Sequence, residues 1–312
     1  MFLARTIKDI LENIEADTEV IAVLDGKWAD PEVEQNERVK VIYMPESVGQ
    51  RAATNIAARI AKGKYIMKVD AHCSFDKGFD RKMLEGFKVT GDNVTVVPIM
   101  RNLWAFDWQC KKCKNKWYQG PTPTFCCSDK KGKRENKECD GKEFEKIIMW
   151  KGKEKPQSTS YAFDSRPHFE YFGEYTKTKK YKKDKKTGFT ETMGLQGSCF
   201  MLTKDNYWKW DVSDETAGSW GNQGIEVACK TWLTGGRVLV NHNTWYAHMF
   251  RTQGGDFGFP YKQRGKEVNK TKSKIWTDIT EQKIPHQKLK VDWLIERFMP
   301  VKDWTEDKIN KL

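Results

Sequence analysis

Short apolar segments that alternate with helical stretches constrain the fold of this chain more than any other feature of its sequence. The segments EVIAVLDG (19–26), VKVIYM (39–44), YIMKVDAH (65–72) and NVTVVPIM (93–100) have the length and apolar character of buried strands. An Ala-rich stretch that Gly63 terminates indicates a helix between the second and third segments. This alternation predicts an α/β, Rossmann-like fold: a mostly parallel sheet with helices on both faces.

Acidic residues end two of the predicted strands. Asp25 closes the first segment, and Asp70 closes the third. Because ligands of such sheets bind beyond the carboxyl ends of the strands, both residues are expected at the functional edge. Asp70 and His72 stand two positions apart, so together they could grip one divalent cation that neutralises a diphosphate group.

The regular pattern stops after residue 102 and returns near residue 190. The intervening stretch is rich in Lys, Cys, Pro and aromatic residues, which indicates an insertion. We therefore expect a first α/β half at 1–102, a basic, Cys-rich insertion at 103–190, a second half at 191–265, and a helical tail at 266–312. The tail is expected to pack against the body.

Cysteines cluster within the insertion. Cys110 and Cys113 form a CxxC pair, which Cys126, Cys127 and Cys139 follow. This spacing is typical of a zinc-ribbon-like site with structural Zn²⁺. We expect Cys110, Cys113, Cys139 and one of the adjacent pair Cys126 and Cys127 to hold the ion. The other three cysteines lie in core-like segments and are expected to be packing residues.

Charge and the N-terminal segment bear on partners and location. The formal net charge is +12, which favours an anionic partner such as nucleic acid or a phosphorylated sugar donor. Lysines in the insertion interleave with aromatic residues expected to be exposed, among them Phe169, Tyr171, Phe172 and Tyr175, and the lysine run KTKKYKKDKK (177–186) follows. This pattern suits nucleic acid, although a solvated loop is the alternative. The amphipathic N-terminus lacks the apolar centre of a signal peptide, so we expect a cytoplasmic protein that does not contact membranes.

Four motifs in order resemble the polypeptide N-acetylgalactosaminyltransferases and their relatives in glycosyltransferase family 2. The resemblance covers roughly residues 4–101 and 190–262. Its motifs are Gly49-Gln50-Arg51, the strand end VDAHC (69–73), WGNQGIEVACKTWLTGG (220–236) and AHMFR (247–251). The resemblance implies the GT-A fold, a UDP-sugar donor and a metal-dependent hexosyl transfer. It also implies that 1–102 is the nucleotide-sugar-binding half and that 191–265 is the acceptor and catalytic half.

The resemblance also implies roles for individual residues. Asp25 would contact the uridine, and Arg51 would lie near the nucleotide. Asp70 would bind the donor indirectly, through the cation that it holds. Asp70, His72 and His248 would be the metal ligands, a set that suits Mn²⁺ better than Mg²⁺; His242 is the rival for the third position. Trp220 would form part of the sugar pocket, and Arg251 would belong to a glycine-rich lid over the diphosphate.

One departure from the family pattern concerns the mechanism. Inverting members carry an Asp base where this chain has Gln223 and Gly224. Retention of configuration, which needs no such base, is the favoured reading. Inversion with Glu226 as the base is the alternative, and Glu226 could equally be a structural acid that holds Arg or Lys. Candidate catalytic residues are thus Trp220, Gln223, Glu226 and Arg251.

Charge, compartment and the zinc insertion together favour DNA as the acceptor. The chain would then be similar to bacteriophage DNA-hypermodification glycosyltransferases, which act on a 5-hydroxymethylated pyrimidine such as 5-hydroxymethylcytosine, and the target base would flip out of the duplex. Transfer to protein Ser/Thr or to a cell-surface glycan is the first alternative. A zinc-dependent nucleic-acid-binding protein with a non-catalytic core is the second.

Overall fold

The computed structural model describes residues 2–126, 139–250 and 265–312. Within these ranges the strands are β1 (Val20–Asp25), β2 (Val39–Met44), β3 (Tyr65–Val69), β4 (Cys73–Phe75), β5 (Val94–Cys110), β6 (Lys116–Tyr118), β7 (Phe144–Ser158), β8 (Tyr161–Phe163), β9 (Phe169–Tyr171), β10 (Phe189–Glu191), β11 (Cys199–Thr203) and β12 (Arg237–His248). The helices there are α1 (Phe2–Asn13), α2 (Gln50–Ile60), α3 (Phe79–Thr90), α4 (Lys179–Lys185), α5 (Lys204–Lys209), α6 (Gln223–Leu233), α7 (Gly265–Thr280), α8 (Val291–Phe298) and α9 (Glu306–Ile309).

The main sheet is mixed, in the order β10-β12-β5-β11-β3, and this corrects the mostly parallel sheet expected from the sequence. Strands β5 and β12 run parallel, but β11 lies antiparallel between β3 and β5, and β10 lies antiparallel to β12. Strands β1 and β2 form a separate parallel pair. Apolar runs indicate that a strand is buried without fixing its direction, and the long chain between β5 and β11 allows either direction.

Helices cover the sheets through their apolar faces. Ile7 of α1 packs against Ala22 of β1 and Val39 of β2, which explains the helical apolar spacing at the N-terminus. The largest core joins α6, α7 and α8 to the main sheet and includes Ile225, Trp232 and Leu294. The expected helical tail therefore supplies residues of three helices, α7, α8 and α9, to this core.

Strand β4 is a short element that organises the functional edge. It pairs antiparallel with the end of β12, where Cys73 lies opposite His248. The Asp9 carboxylate of α1 accepts hydrogen bonds from the Phe75 amide at 2.7 Å and from the Ser74 hydroxyl at 3.0 Å. Helix α1 thus fixes β4 against the carboxyl end of β12.

Strand β5 continues without a break across the expected boundary at residue 102. Beyond Asn102, which pairs with His248, it runs on to Cys110 and pairs with β6 and β7. We call residues 103–126 and 139–158 the arm. This part of the expected insertion is therefore an extension of the main sheet that leaves the body beside the end of β12.

The remainder of the expected insertion belongs to the body. Phe163, Phe172, Tyr175 and Tyr181 are buried in the largest core, so Phe172 and Tyr175 are not the exposed aromatics that the sequence suggested. Phe169 and Tyr171 of β9 are exposed, as expected. Within the described residues, no helix combines the length and the apolar character needed to cross a bilayer.

Candidate active site

Asp70 lies immediately beyond the end of β3. Its amide donates to the Ser198 carbonyl at 2.8 Å, which anchors it to the segment before β11. Its Oδ1 atom accepts from the Lys68 ammonium, which also donates to the Gly197 carbonyl at 2.7 Å. The side chain of Lys68 is only 6% exposed. The carboxylate is therefore held through one oxygen, while Oδ2 faces the two histidines.

His248 and His72 meet at Asp70 Oδ2. His248 Nε2 lies 3.2 Å from this oxygen and His72 Nε2 lies 3.9 Å from it. The two rings have centroids 4.7 Å apart, and the Met249 amide donates to the His72 carbonyl at 3.1 Å. One ligand atom from each of the three residues lies within 4.8 Å of the others. The structure thus brings together the three metal ligands expected from the sequence.

The Asp70 carboxyl group is kept in its ionised form, which binds cations. Burial raises the pKa of Asp70, but the Lys68 ammonium and the two imidazoles outweigh it and hold this pKa well below the ordinary value. The buried His248 Nδ1 atom has no hydrogen-bond partner in the described part of the chain. One carboxylate and two imidazoles fit Mn²⁺ by donor chemistry, so these residues could hold the expected ion.

His242, the rival third ligand, lies in a different environment. Its Nε2 atom is 2.8 Å from the Thr190 hydroxyl, and its ring packs edge-on against Tyr181. Burial and the nearby Lys185 ammonium lower its pKa to about 4. Within the described residues it does not join the cluster, so the geometry favours His248 as the third ligand.

A cleft of about 1380 Å³ opens in front of the three residues. Its lining includes Asp25, Trp220 and Phe250 as well as the cluster. It is larger than the roughly 300–1000 Å³ of common small-molecule sites. Asp25 and Trp220, two residues expected at the donor, therefore share one cavity with the cation site.

Asp25 organises the loop that leads into α2. Its carboxylate accepts hydrogen bonds from the Ser47 hydroxyl at 2.9 Å and from the amides of Val48 and Gly49 at 2.6 and 3.0 Å. Gly49 has φ of 89°, a left-handed conformation that favours glycine. Asp25 therefore shapes the cleft wall as well as lining it.

Arg51 and Glu226 form a buried ion pair rather than parts of the cleft. Arg51 Nη2 donates to Glu226 and to the Gly221 carbonyl at 2.9 Å, and Lys230 Nζ lies 2.8 Å from Glu226 Oε1. Both members of the pair have side chains at most 2% exposed. This arrangement favours the structural role of Glu226 over the role of base, and it places Arg51 behind the wall of the cleft.

Positions 223 and 224, at the start of α6, carry no acid that could serve as the base of inverting family members. Gln223 bridges Gln50 and Ser213 through its side-chain amide, at 3.4 Å in each case. A Cβ atom at Gly224 would lie 2.0 Å from the Leu195 carbonyl oxygen, so this position accepts no side chain without movement of the backbone. Arg251, the remaining candidate catalytic residue, lies outside the described residues.

The arm ends in a cluster of four cysteines. Cys110, Cys113, Cys126 and Cys139 place their sulfur atoms within 4.8 Å of one another. Two of the pairs lie at 3.2 and 4.0 Å, close to the roughly 3.8 Å between sulfurs around tetrahedral zinc. Burial raises the pKa of the Cys110 thiol, but hydrogen bonds from backbone amides outweigh this effect and lower the pKa to about 7. The lower pKa favours the thiolate, which is the form that binds zinc.

The remaining cysteines divide as expected from their segments. Cys73, Cys199 and Cys229 are buried in the hydrophobic cores, where burial raises the pKa of each thiol. Cys127 lies outside the described residues, and Cys126 is the member of the adjacent pair that joins the cluster.

Sequence reasoning missed Lys68. Residues two apart on a strand project to the same face, so a lysine two positions before Asp70 was a signal for an ion pair on that strand. A lysine in an otherwise apolar buried strand also needs a partner, and Asp70 was the nearest acid.

The amino-acid sequence resembles a known protein family and a known protein. Residues 2–123 match the family model described as "Glycosyl transferase family 2". A curated Caenorhabditis elegans protein, "Probable N-acetylgalactosaminyltransferase 6", is 23% identical over 245 residues, which cover 77% of this chain and 32% of the relative. The chain thus spans about a third of that relative's length.

Solved structures extend the similarity to almost the whole chain. The crystal structure of GalNAc-T7 with UDP, GalNAc and Mn²⁺ aligns with a TM-score of 0.57 at 14% identity, over 99% of this chain and 51% of that chain. The structure of S. aureus TarS 1-349 in complex with UDP-GlcNAc aligns with a TM-score of 0.53 at 10% identity, over 95% and 67% of the two chains. Residues 2–123 therefore resemble glycosyltransferase family 2, and almost the whole chain has an α/β, GT-A-like fold.

Proposed function

We propose that this protein transfers a hexosyl group from a UDP-sugar to a hydroxyl acceptor with the help of a divalent cation. The observation that carries the proposal is the meeting of Asp70, His72 and His248 at one point of a large cleft. The solved structures with this fold that contain UDP with Mn²⁺, or UDP-GlcNAc, support it.

Each residue then has a defined task. Asp70, His72 and His248 would hold Mn²⁺ or Mg²⁺, and the ion would neutralise charge on the departing diphosphate. Asp25 would keep the 47–49 loop in place and receive the uridine, while Trp220 would form a wall for the sugar. Arg51 would act on the nucleotide site indirectly, through the start of α2. We propose that the segment with Arg251 closes over the diphosphate and excludes water.

We propose transfer with retention of configuration. The Glu226 carboxylate is engaged by Arg51 and Lys230, and the close approach of Leu195 to Gly224 leaves no room for a base there. These contacts support a mechanism in which no side chain of the first turn of α6 takes the acceptor proton. Inversion would need a base from another part of the chain.

We propose nucleic acid as the acceptor, with a 5-hydroxymethylated pyrimidine of bacteriophage DNA as the target. The arm supports this because it leaves the body beside His248 and extends over residues 103–110, about 26 Å at about 3.3 Å per residue. Lys151, Lys153 and Lys155 are exposed at alternate positions of β7, and the Lys153 ammonium lies 4.3 Å from the centroid of Tyr118. Lysines suit phosphates and exposed rings suit bases.

A structural Zn²⁺ at the tip of the arm completes the proposal. The four cysteines would fix the turn after β5 to the start of β7, and the aromatic rings of Trp117 and Phe144 pack against them. The ion would do no chemistry on the sugar. Residues 1–102 would bind the donor together with Trp220 and His248, and the acceptor would bind to 103–190 and to the rest of 191–265. We propose that the protein acts in the cytoplasm.

Two other functions have some support. The similarity to a probable N-acetylgalactosaminyltransferase favours transfer to protein Ser/Thr, or to a cell-surface glycan. The basic arm with its cysteine cluster would also suit a zinc-dependent nucleic-acid-binding protein whose core binds a nucleotide without catalysis.

The test is incubation of the protein with Mn²⁺, a panel of UDP-sugars and DNA that contains 5-hydroxymethylcytosine. Mass spectrometry of the nucleosides should show a hexosylated base, and the Asp70→Ala variant should produce none. Labelled sugar on a Ser/Thr peptide instead of DNA would favour the protein acceptor. DNA binding that survives in Asp70→Ala, with no transfer by either protein, would favour the non-catalytic alternative.

A further inference from the structure

A lysine lies directly beside the expected cation site. The Lys68 ammonium bonds directly to the Asp70 carboxylate, the only acid among the three expected ligands. The two other ligands are imidazoles, which coordinate metals in their neutral form. The formal charge of the site is therefore zero, with one carboxylate and one ammonium.

Lys68 is held in this position by the fold. Its side chain is almost fully buried, and its second hydrogen bond goes to the Gly197 carbonyl at 2.7 Å. Gly197 lies in the segment before β11. The same segment contains Ser198, whose carbonyl accepts a hydrogen bond from the Asp70 amide. Strand β11 pairs with β3 along its whole length, so the ammonium and the carboxylate are fixed to the same pair of strands.

The site attracts a divalent cation only weakly when no nucleotide is bound. Lys68 already neutralises the carboxylate, and its ammonium would repel a cation held by the same carboxylate. Removing the hydration shell of a small dication needs stronger compensation than two neutral imidazoles provide. A nucleoside diphosphate changes this balance, because its negative oxygens attract both the cation and the ammonium.

We propose that Lys68 couples cation binding to nucleotide binding, so that the site takes up Mn²⁺ strongly only together with the diphosphate of the donor. This inference rests on the proposed function, since it requires a nucleoside diphosphate in the cleft. By linkage, the cation tightens nucleotide binding by the same factor as the nucleotide tightens cation binding. Lys68 is a positioning residue in this scheme, because it acts through Asp70 and the diphosphate.

The experiment measures Mn²⁺ binding without turnover. Free Mn²⁺ gives an electron paramagnetic resonance signal that is lost on binding, so its dissociation constant can be measured with and without UDP. For the wild type, UDP should tighten Mn²⁺ binding by about tenfold or more, given the size of such charge interactions. Lys68→Gln removes the charge and keeps a donor for Gly197; it should tighten Mn²⁺ binding to the nucleotide-free protein and reduce the coupling.

Two further variants isolate the charge of Lys68. Lys68→Arg keeps the charge and should retain most of the coupling. Lys64→Gln is the matched control, because Lys64 lies just before the same strand and pairs with Asp92 at 2.7 Å on the surface. It should match the wild type with and without UDP. Thermal unfolding of each variant verifies that it is folded.

Separate outcomes would overturn the inference and the proposed function. If UDP fails to bind the wild type in the presence of Mn²⁺, the proposed function is wrong. If UDP binds but Mn²⁺ binds equally well without it, the inference alone is wrong, and this result needs no variant. Unchanged coupling in a folded Lys68→Gln protein would likewise reject the role of Lys68.

Discussion

The Nε2 atom of His248 lies 3.2 Å from Oδ2 of Asp70, although 178 residues separate the two positions. The contact depends on β4, which pairs with the end of β12 and thereby sets His248 beside the carboxyl end of β3. Two residues at the ends of non-adjacent strands thus meet at one edge of the sheet. This meeting carries the proposal of a cation site.

Substitution of His248 or Asp70 should abolish cation-dependent transfer. His248→Ala removes one ligand, and Asp70→Asn removes the only negative ligand, so each should lower turnover by at least about 100-fold. Chelation of the wild type should have the same effect, and added Mn²⁺ should reverse it. The measurement is the initial rate of sugar transfer at saturating donor.

His242→Gln is the matched control for His248→Ala. His242 contacts Thr190 outside the cluster, so its substitution should leave turnover within a few-fold of the wild type. The assignment of ligands is wrong if His242→Gln loses the dependence on Mn²⁺ and His248→Ala keeps it.

Glu226→Gln should destabilise the protein. The change leaves Arg51 and Lys230 buried without their shared counter-charge, and breaking such a network commonly costs about 3–5 kcal/mol. Glu215→Gln is the control, because Glu215 pairs with Arg59 on the surface and its loss should cost at most about 1 kcal/mol. Urea unfolding measures both. A stable Glu226→Gln protein with strongly reduced turnover would instead restore Glu226 as the base.

The sequence predicted the positions of the strands better than their directions. Strand β2 matches the segment 39–44, and β1 lies within 19–26, because apolar runs bounded by polar residues mark buried strands. The antiparallel insertion of β11 between β3 and β5 was not predictable in this way. Long-range pairing decides it, and local composition carries no record of which neighbours a strand will have.

The candidate site was accessible in part. Asp70 and His72 were found because a strand end presents both, and the resemblance added His248. Their common position in the structure required β4, which no expectation included. The partner of Lys68 was not predicted. For Glu226 the sequence suggested an Arg or Lys partner without identifying which one, because an ion pair depends on the direction of two side chains as well as on their residue types. The strands of the arm were not predicted, because lysines interrupt the alternation of apolar and polar residues along β7.

The protein should contain one Zn²⁺, bound by the four arm cysteines. Cys139→Ser removes a ligand and should release the ion, whereas Cys127→Ser should retain it because Cys126 completes the cluster. Cys229→Ala in the core is a second control that should keep the metal. Elemental mass spectrometry of the purified variants gives the zinc content. Zinc lost from Cys127→Ser but kept in a Cys126→Ser protein would reverse the choice between these neighbours.

The stability of the protein should fall with acid partly because of His242. Its pKa is lowered from 6.5 to about 4, so the folded state resists a proton that the unfolded chain accepts. The contribution is fully present above pH 6.5 and is lost as the pH falls toward 4, by about 2–3 kcal/mol. His242→Gln should flatten this part of the profile. Urea unfolding of both proteins at pH 7.5, 6 and 5 tests it, and parallel profiles would contradict the assignment.

Neutralising the arm lysines should weaken DNA binding more than neutralising those of α4. The proposal places Lys151, Lys153 and Lys155 on phosphates, and each lost phosphate contact should reduce the slope of log affinity against log salt by about 1. The combined Lys→Gln variant should therefore lose about 3 units of slope. The matched variant neutralises three exposed lysines of the 177–186 stretch, Lys179, Lys182 and Lys186, and should keep the slope if that helix is only solvated. Fluorescence anisotropy with labelled duplex at several salt concentrations measures both. Equal slopes in the wild type and the arm variant would show that the arm lysines do not contact DNA phosphates.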